Sequence, residues 1–301
     1  MSYVIQTENL TKKFRKTRAV DNLSLKVPEG SIYAFLGPNG AGKTTTIKLL
    51  MNIIFPTSGN AEVLGVPSNK LGPEQFQQIG YVSENQKIPG WMTVPQLVNY
   101  CKPMYPTWDD EFCKRLLTQF DLPNDVKLKS MSRGMKVKAM LLSSLAYRPK
   151  LLVLDEPFSG LDPLVRDEFI RGILELTETE GWTVFVSSHD IEEVDRLADW
   201  VGFIDRGTLQ ISEKREALQS RFRQVEVTLP DGVSVPDQLP EEWLMPEQVG
   251  HAFRFVDSRY DADSAARFKS IFPTLGNYDP QPLSLRDIYL TLARHFKGVS
   301  Q

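Results

Sequence analysis

Short apolar runs alternate with helical stretches through the first half of the chain. The runs at 31–36, 151–154 and 183–186 hold few polar residues, which is typical of strands buried on both faces of a parallel sheet. A glycine-rich turn and a helix predicted over 43–51 follow the first run. A second helix, predicted over 163–176, lies between the other two as a crossover connection. The pattern predicts an α/β sheet domain.

A stretch of about residues 87–149 shows helical patterns and no strand-like run. We interpret it as a helical insertion in the sheet domain. Thr107, followed three residues later by Asp110, predicts a capping box at the start of the second of its helices. The helices are predicted over 94–104, 109–120 and 134–146.

The composition changes again after residue 224. Residues 225–250 hold four prolines and several acidic residues but no lysine or arginine. A strand and two helices are predicted beyond them, at 253–256, 263–271 and 285–296. We therefore predict two domains: a sheet domain over 1–220 and a small C-terminal α+β domain over 221–301.

The bulk composition limits the possible partners. The 301 residues carry 35 basic and 38 acidic side chains, so the basic excess typical of nucleic-acid binders is absent and no nucleic-acid partner is predicted. Two cysteines make neither a disulfide framework nor a metal set. No apolar run approaches the roughly 18 to 20 residues that cross a bilayer, and the first nine residues predict a strand, not a signal segment.

A phosphate-binding loop follows the first buried strand. Its sequence GPNGAGKT fits the pattern G-x-x-x-x-G-K-S/T. Such a loop turns successive backbone N–H groups towards a polyphosphate, and the helix behind it offers its positive end to the same anion. In this class of loop the lysine reaches the β- and γ-phosphates and the hydroxyl ligates Mg²⁺. The predicted ATP-binding residues here are Gly37, Pro38, Asn39, Gly40, Ala41, Gly42, Lys43, Thr44 and Thr45.

Two carboxylates end the strand predicted at 151–154. Ligands of open α/β sheets bind beyond the carboxyl ends of the strands, so Asp155 is predicted to hold Mg²⁺ together with Thr44. Glu156 is predicted to be the general base that polarises the attacking water. His189 follows the next strand and is predicted to contact the γ-phosphate or orient that water. By itself, a lone histidine at a strand end is more often structural.

The segment between these motifs makes the pattern specific. The sequence MSRGM at 131–135 resembles the LSGGQ signature of ABC ATPases, and SGLD at 159–162 resembles the D-loop of that family. His189 occupies the position of the family's switch histidine, and Phe14 that of an aromatic residue that stacks on adenine. The chain is thus similar to ABC transporter ATP-binding subunits from about residue 4 to residue 212.

The resemblance implies a mechanism and a set of partners. Two such domains pair head to tail, with ATP between the phosphate loop of one and the signature of the other. This implies nucleotide contacts from Ser132, Gly134 and Asp162, with Lys43, Glu156 and His189 in catalysis. It also implies ATP hydrolysis that powers a membrane permease on another chain. The second ATP-binding subunit completes either a homodimer or a heterodimer, in the cytoplasm at the inner face of the membrane.

The chain departs from the family pattern at two places. The signature has Met131, Arg133 and Met135 in place of Leu, Gly and Gln. Glu84 stands where the family has a glutamine that reaches Mg²⁺, so Glu84 is predicted to be a metal ligand, with an inward-turned Gln86 as the alternative. A glutamate at this position also occurs in a branch of bacterial exporters with a C-terminal extension, and export is the expected direction.

Two other functions are compatible with parts of this sequence pattern. A soluble ABC ATPase of translation or DNA repair usually has two phosphate loops or long coiled coils, whereas this chain shows one such loop and no sustained heptads. A non-catalytic nucleotide-binding regulator would be expected to lack the carboxylate of Glu156.

Overall fold

The computed structural model describes residues 2–83, 86–230, 232–236, 238–273 and 278–298. The chain divides into two compact units, Met1–Ser212 and Glu213–Gln301. Each unit has its own sheet structure and its own hydrophobic core.

A six-stranded sheet forms the centre of the first unit, and the predicted parallel strands lie in it. Its order is β11-β10-β4-β9-β8-β7. The strands are β4 (Ile32–Leu36), β7 (Ile79–Ser83), β8 (Leu151–Asp155), β9 (Thr183–Ser188), β10 (Trp200–Asp205) and β11 (Thr208–Lys214). The helices beside it include α1 (Lys43–Leu50), α2 (Pro73–Phe76) and the crossover helix α6 (Pro163–Glu180).

The register of these strands brings their carboxyl ends to one edge. β4 and β9 are parallel with Leu36 opposite Ser188. β8 and β9 are parallel with Asp155 opposite Ser187, and β7 and β8 with Ser83 opposite that same Asp155. Because parallel strands end together, the residues that follow each strand share one side of the sheet.

An antiparallel sheet packs on the same core. Its strands are β1 (Tyr3–Phe14), β2 (Thr17–Leu23), β3 (Lys26–Pro28), β5 (Ser58–Val63) and β6 (Val66–Pro67). The core joins Ile5 of β1 and Phe35 of β4 to Ile47 of α1 and Phe185 of β9. The strand predicted at the start of the chain is thus confirmed, but it is longer than predicted and belongs to a second sheet.

The helices predicted between β7 and β8 are present. They are α3 (Val94–Cys101), α4 (Asp110–Gln119) and α5 (Arg133–Leu145). Among the described residues from 86 to 150 there is no strand, and the one bridge pairs Thr93 with Lys127.

The predicted capping box of α4 is wrong. Asp109 is the N-cap, and its carboxylate accepts a hydrogen bond from the Phe112 N–H at 2.9 Å. The Thr107 hydroxyl instead donates to the Tyr147 carbonyl at 2.8 Å. Arg148 donates to the second oxygen of Asp109, so tertiary contacts select the aspartate as the cap.

The second unit is a small α+β structure. Its antiparallel sheet has the order β13-β14-β12-β15, and aromatic rings fill its core, with Trp243 stacked on Phe255 at 4.0 Å between ring centres. The predicted strand 253–256 is confirmed within β14. The elements are α7 (Arg215–Arg221), β12 (Arg223–Thr228), β13 (Trp243–Val249), β14 (Ala252–Asp257), α8 (Ser264–Ile271), β15 (Asp279–Pro282) and α9 (Leu285–Gly298).

Candidate active site

The loop between β4 and α1 has a backbone path that requires glycine. Gly40 and Gly42 have φ angles of 82° and 109°, in the left-handed region that favours glycine. A Cβ atom on Gly42 would lie 2.3 Å from the Ala19 carbonyl oxygen, and one on Gly37 would lie 2.2 Å from that of Ile204. The loop is therefore wrapped tightly against its neighbours while α1 begins at Lys43.

The ammonium of Lys43 is buried within this loop. The residue is 4% exposed, and its Nζ donates to the carbonyl oxygen of Gly37 at 2.5 Å and that of Pro38 at 3.3 Å. The Glu156 carboxylate lies 3.0 Å away through Oε1. A buried charge is tolerated when it is paired and hydrogen-bonded, and these three partners satisfy the lysine.

Glu156 links the phosphate loop to His189. Its Oε2 lies 2.7 Å from His189 Nδ1, while its Oε1 faces Lys43. The backbone of Glu156 has φ 51°, a left-handed conformation that costs energy for a residue with a side chain. The Ser187 hydroxyl accepts a hydrogen bond from the Glu156 N–H at 3.1 Å. The three side chains predicted to act in catalysis therefore converge.

Asp155 lies deeper, at the end of β8. It is 2% exposed, and its Oδ1 accepts hydrogen bonds from the hydroxyls of Thr44 and Ser187, each at 2.9 Å. Burial raises the pKa of Asp155, and the two hydrogen bonds oppose that rise. A nearby cation would stabilise this desolvated carboxylate.

The donors at this point fit Mg²⁺. Magnesium prefers oxygen ligands, keeps several waters and is commonly held by one or two protein groups together with substrate phosphates. A hydroxyl and a carboxylate converge here, from Thr44 and Asp155. Within the described ranges no three His, Cys, Asp or Glu side chains gather into a larger metal set.

A second carboxylate fixes the loop that carries His189. Glu193 is 5% exposed, and its Oε2 accepts a 2.5 Å hydrogen bond from the Ser188 hydroxyl. Arg166 of α6 places Nη1 3.7 Å from the other oxygen of Glu193. Burial raises the pKa of Glu193, and the Ser188 hydrogen bond is the largest opposing effect. Sequence reasoning missed Glu193, although its spacing of four residues from His189 was available.

An open cleft of about 410 Å³ runs along the phosphate loop. Ala19 and Ser159 belong to its wall, and neither was predicted as a site residue. The predicted residues that line it are Asn39, Gly40, Gly42, Lys43, Thr44, Thr45, Glu156 and His189. Gly37, Pro38 and Ala41 complete the loop behind this wall, with the Ala41 N–H donating to the Pro38 carbonyl.

Other predicted residues lie outside this wall. Phe14 ends β1, is 45% exposed and has Lys12 Nζ 5.0 Å from its ring centre. Ser132 is the N-cap of α5 and accepts from the Met135 N–H, while Asp162 caps α6. Gly134 is buried where a Cβ would lie 2.9 Å from Val165 Cγ1. Ser132, Gly134 and Asp162 thus lie at the starts of helices and do not line the cleft, whereas Ser159, the first residue of the D-loop segment, does.

The Glu84 prediction lies outside the described residues. Gln86, the alternative, is exposed and its Oε1 accepts a hydrogen bond from the Ser83 N–H at 3.3 Å. This contact engages the amide of Gln86 in the turn after β7.

Comparison with known proteins identifies similar chains. The sequence profile described as ABC transporter matches residues 20–159. The bacitracin transport ATP-binding protein of Bacillus licheniformis is 36% identical over 228 residues, 74% of this chain and 74% of that protein. The lantibiotic transport ATP-binding protein of Streptococcus pyogenes is 32% identical over 219 residues, 72% of this chain and 93% of its own length.

Similarity also extends through the C-terminal unit and to solved structures. An ABC transporter ATP-binding protein of Bacillus subtilis is 25% identical over 287 residues, 95% of this chain and 97% of that protein. A structure titled as a dimeric bacterial ABC transporter cassette aligns with a TM-score of 0.64 at 22% identity, covering 70% of this chain and 98% of the cassette. Among the described residues, no helix has the length and apolar character needed to cross a membrane.

Proposed function

The chain belongs to the family of ABC transporter ATP-binding subunits, and from this premise we propose that it powers the export of an antimicrobial compound through a separate permease. The family membership makes it an ATPase. The proposed cargo and partner rest on relatives named for bacitracin and lantibiotic transport. The proposed location is at the membrane surface, bound to that permease.

The convergence of Lys43, Glu156 and His189 supports the ATP hydrolysis that would power this export. The two oxygens of one carboxylate contact the other two side chains, at 3.0 Å and 2.7 Å. An entering γ-phosphate would displace the Glu156 carboxylate from Lys43, because the phosphate offers the lysine a stronger anionic partner. Glu156 would then be free to accept a proton from the attacking water, with His189 holding its second oxygen.

Residues of the loop and the buried carboxylate complete the proposed roles. The backbone N–H groups from Asn39 to Thr45 bind the phosphates at the positive end of α1. Thr44 and Asp155 would hold Mg²⁺, which neutralises charge on the phosphates when bound. Ser187 keeps Asp155 and the Glu156 backbone in register through its hydroxyl.

A second ATP-binding subunit is part of the proposal. Ser132, Gly134 and Asp162 lie outside the cleft wall of their own chain, so they would contact nucleotide only in a neighbouring chain. The N-terminus of α5, capped by Ser132, would direct its positive end to the γ-phosphate of that neighbour. Phe14 is proposed to stack on the adenine, since its side chain is exposed.

The test is ATP-driven transport in inside-out membrane vesicles that contain the chain and its permease. With Mg-ATP outside, an exporter accumulates bacitracin in the vesicle lumen, and vesicles with the Glu156→Gln variant serve as the matched control. ATP-dependent loss of preloaded bacitracin would overturn the proposed direction. Absence of any ATP-dependent movement of bacitracin, with ATP hydrolysis intact, would exclude bacitracin as the cargo.

A further inference from the structure

Arg133 lies between the signature segment and the D-loop segment, to which the family similarity assigns different roles. It is the first residue of α5, in the signature segment 131–135. A Cβ built on Gly160 would lie 2.8 Å from Arg133 Nη1 and 3.1 Å from its Cζ. The guanidinium therefore covers the open face of Gly160, in the loop that precedes α6.

The loop it covers is the turn that begins at Glu156. The Ser159 N–H donates to the Glu156 carbonyl at 3.3 Å, and the Leu161 N–H donates to that of Phe158 at 3.1 Å. Gly160 has φ 67° within this turn. Ser159 lines the nucleotide cleft. The residue that the guanidinium contacts is thus the direct chain neighbour of a residue in the cleft wall.

A second contact holds the start of α5 against the start of α6. A Cβ on Gly134 would lie 2.9 Å from Val165 Cγ1, so the start of α5 is packed closely against the first turn of α6. Asp162 Oδ1 accepts from the N–H groups of Leu164 and Val165 and so fixes that turn. If the start of α5 shifts, it must either move Gly160 with it or break both the contact between Arg133 and Gly160 and the contact between Gly134 and Val165.

We infer that Arg133 is a positioning residue that couples the signature segment to Glu156 of the same chain. The inference rests on the proposed pairing, in which Ser132 and Gly134 contact the nucleotide of the partner chain. Binding at that site would hold the start of α5, and the Arg133 guanidinium would transmit the restraint through Gly160 to Ser159 and Glu156. Each chain would then adjust its own catalytic carboxylate to the occupancy of the other site.

The planar shape of the Arg133 guanidinium allows its contact with Gly160. A guanidinium can lie flat on the exposed backbone of a glycine, whereas the ammonium of lysine is a compact and strongly hydrated charge. A direct contact between Arg133 and a phosphate would depend on charge instead, so Arg133→Lys separates the two roles. A third role, simple solvation, predicts no effect of either substitution.

The first test compares Arg133→Ala and Arg133→Lys, with Arg171→Ala on the exposed face of α6 as the control. We expect kcat for ATP to fall about fivefold in both Arg133 variants, while KM and ATP-dependent pairing change by less than about twofold. Restoration of kcat by lysine, or a rise in KM, would overturn the inference in favour of a phosphate contact. Unchanged kinetics in all three variants would overturn it as well.

The second test is a double-mutant cycle with Gly160→Ala, read from unfolding in urea as well as from kcat. The added Cβ meets the guanidinium only when Arg133 is present, so Gly160→Ala should cost less in the Arg133→Ala background. Additive effects in both measurements would show that the contact is not made. The unfolding measurement needs no transport or pairing, so it separates failure of this inference from failure of the proposed function.

Discussion

At the scale of single residues, the site is organised by hydrogen bonds between neighbouring strand ends. Sequence spacing was enough to predict Lys43, Thr44, Asp155 and Glu156, because each follows a recognisable apolar strand, whereas the role of His189 was predicted from the resemblance to the family. Their partners could not be predicted in the same way. The role of Ser187 depends on its register opposite Asp155, and a sequence does not show register between strands that lie 32 residues apart.

Replacing Glu156 with glutamine should remove the proposed general base and keep the fold. We expect ATP hydrolysis to fall about 10²- to 10⁴-fold while ATP binding persists. The neutral amide also leaves the buried Lys43 without its ionic partner, so the nucleotide-free variant should unfold at lower urea, and ATP should reverse this. The exposed Glu178→Gln is the control. A loss of activity smaller than about tenfold would contradict the assigned role.

The second residue-scale prediction concerns Glu193 and pH. Its pKa is raised above the ordinary value of 4.5 because burial disfavours the charged form. Between that value and the raised one, the folded state keeps a proton that the unfolded state releases, so stability falls as pH rises through this window. In Glu193→Gln, the amide oxygen still accepts a hydrogen bond from Ser188 but the amide does not titrate. The part of the fall in stability that comes from Glu193 should therefore be absent.

The measurement is urea unfolding at acidic and at neutral pH. The free energy of unfolding of the wild type should drop more between the two conditions than that of Glu193→Gln. The exposed neighbour Glu192→Gln should follow the wild type. Parallel pH dependence in all three proteins would show that Glu193 does not titrate abnormally.

At the scale of elements, the parallel strands β4, β8 and β9 were predicted, whereas the parallel strand β10 and most of the antiparallel strands were not. β4, β8 and β9 are almost wholly buried, which leaves a continuous apolar run in the sequence. β5 reads SGNAEV and buries only two of six residues, so it has little apolar signal. β12 and β13 flank a proline-rich stretch. Because prolines in a sequence argue against a strand, neither strand was predicted.

Close packing of α5 on β7 gives an element-scale prediction. A Cβ on Gly80 of β7 would lie 2.8 Å from Leu152 Cδ1 and 2.8 Å from the Ser144 carbonyl of α5. Gly80→Ala should therefore lower the free energy of unfolding by about 1 to 3 kcal/mol through overpacking. A Cβ on Gly72 would have its nearest atom 3.7 Å away.

Urea unfolding of the two alanine variants tests this packing directly. Gly72→Ala should stay within about 0.5 kcal/mol of the wild type. Equal effects of the two substitutions would mean that α5 does not lie as close to β7 as the contacts of Gly80 indicate.

At the scale of the whole molecule, the candidate site lies within one unit. Every described site residue falls between Phe14 and His189, inside Met1–Ser212. The core of that unit is made of residues from Val4 to Ile204, and the second unit has a separate aromatic core. The two-domain organisation predicted from composition, with domains 1–220 and 221–301, stays a proposal that truncation can test.

A chain that ends after Lys214 should bind ATP with unchanged affinity. This end point keeps β11 whole and removes α7 and the second sheet. Fluorescent-nucleotide titration of the truncated and full-length proteins measures the affinity. A truncated protein that is folded by circular dichroism and fails to bind ATP would show that the second unit completes the nucleotide site.

The pairing of Lys43 with Glu156 and two loop carbonyls has a consequence for the resting protein. Because Lys43 has an anionic partner within its own chain, binding of a phosphate exchanges one anion for another on the same ammonium. Release of ADP after each turnover therefore does not leave the buried Lys43 ammonium without an anionic partner. The exchange lowers the electrostatic cost of releasing the nucleotide, because a buried ammonium is costly only when it is unpaired.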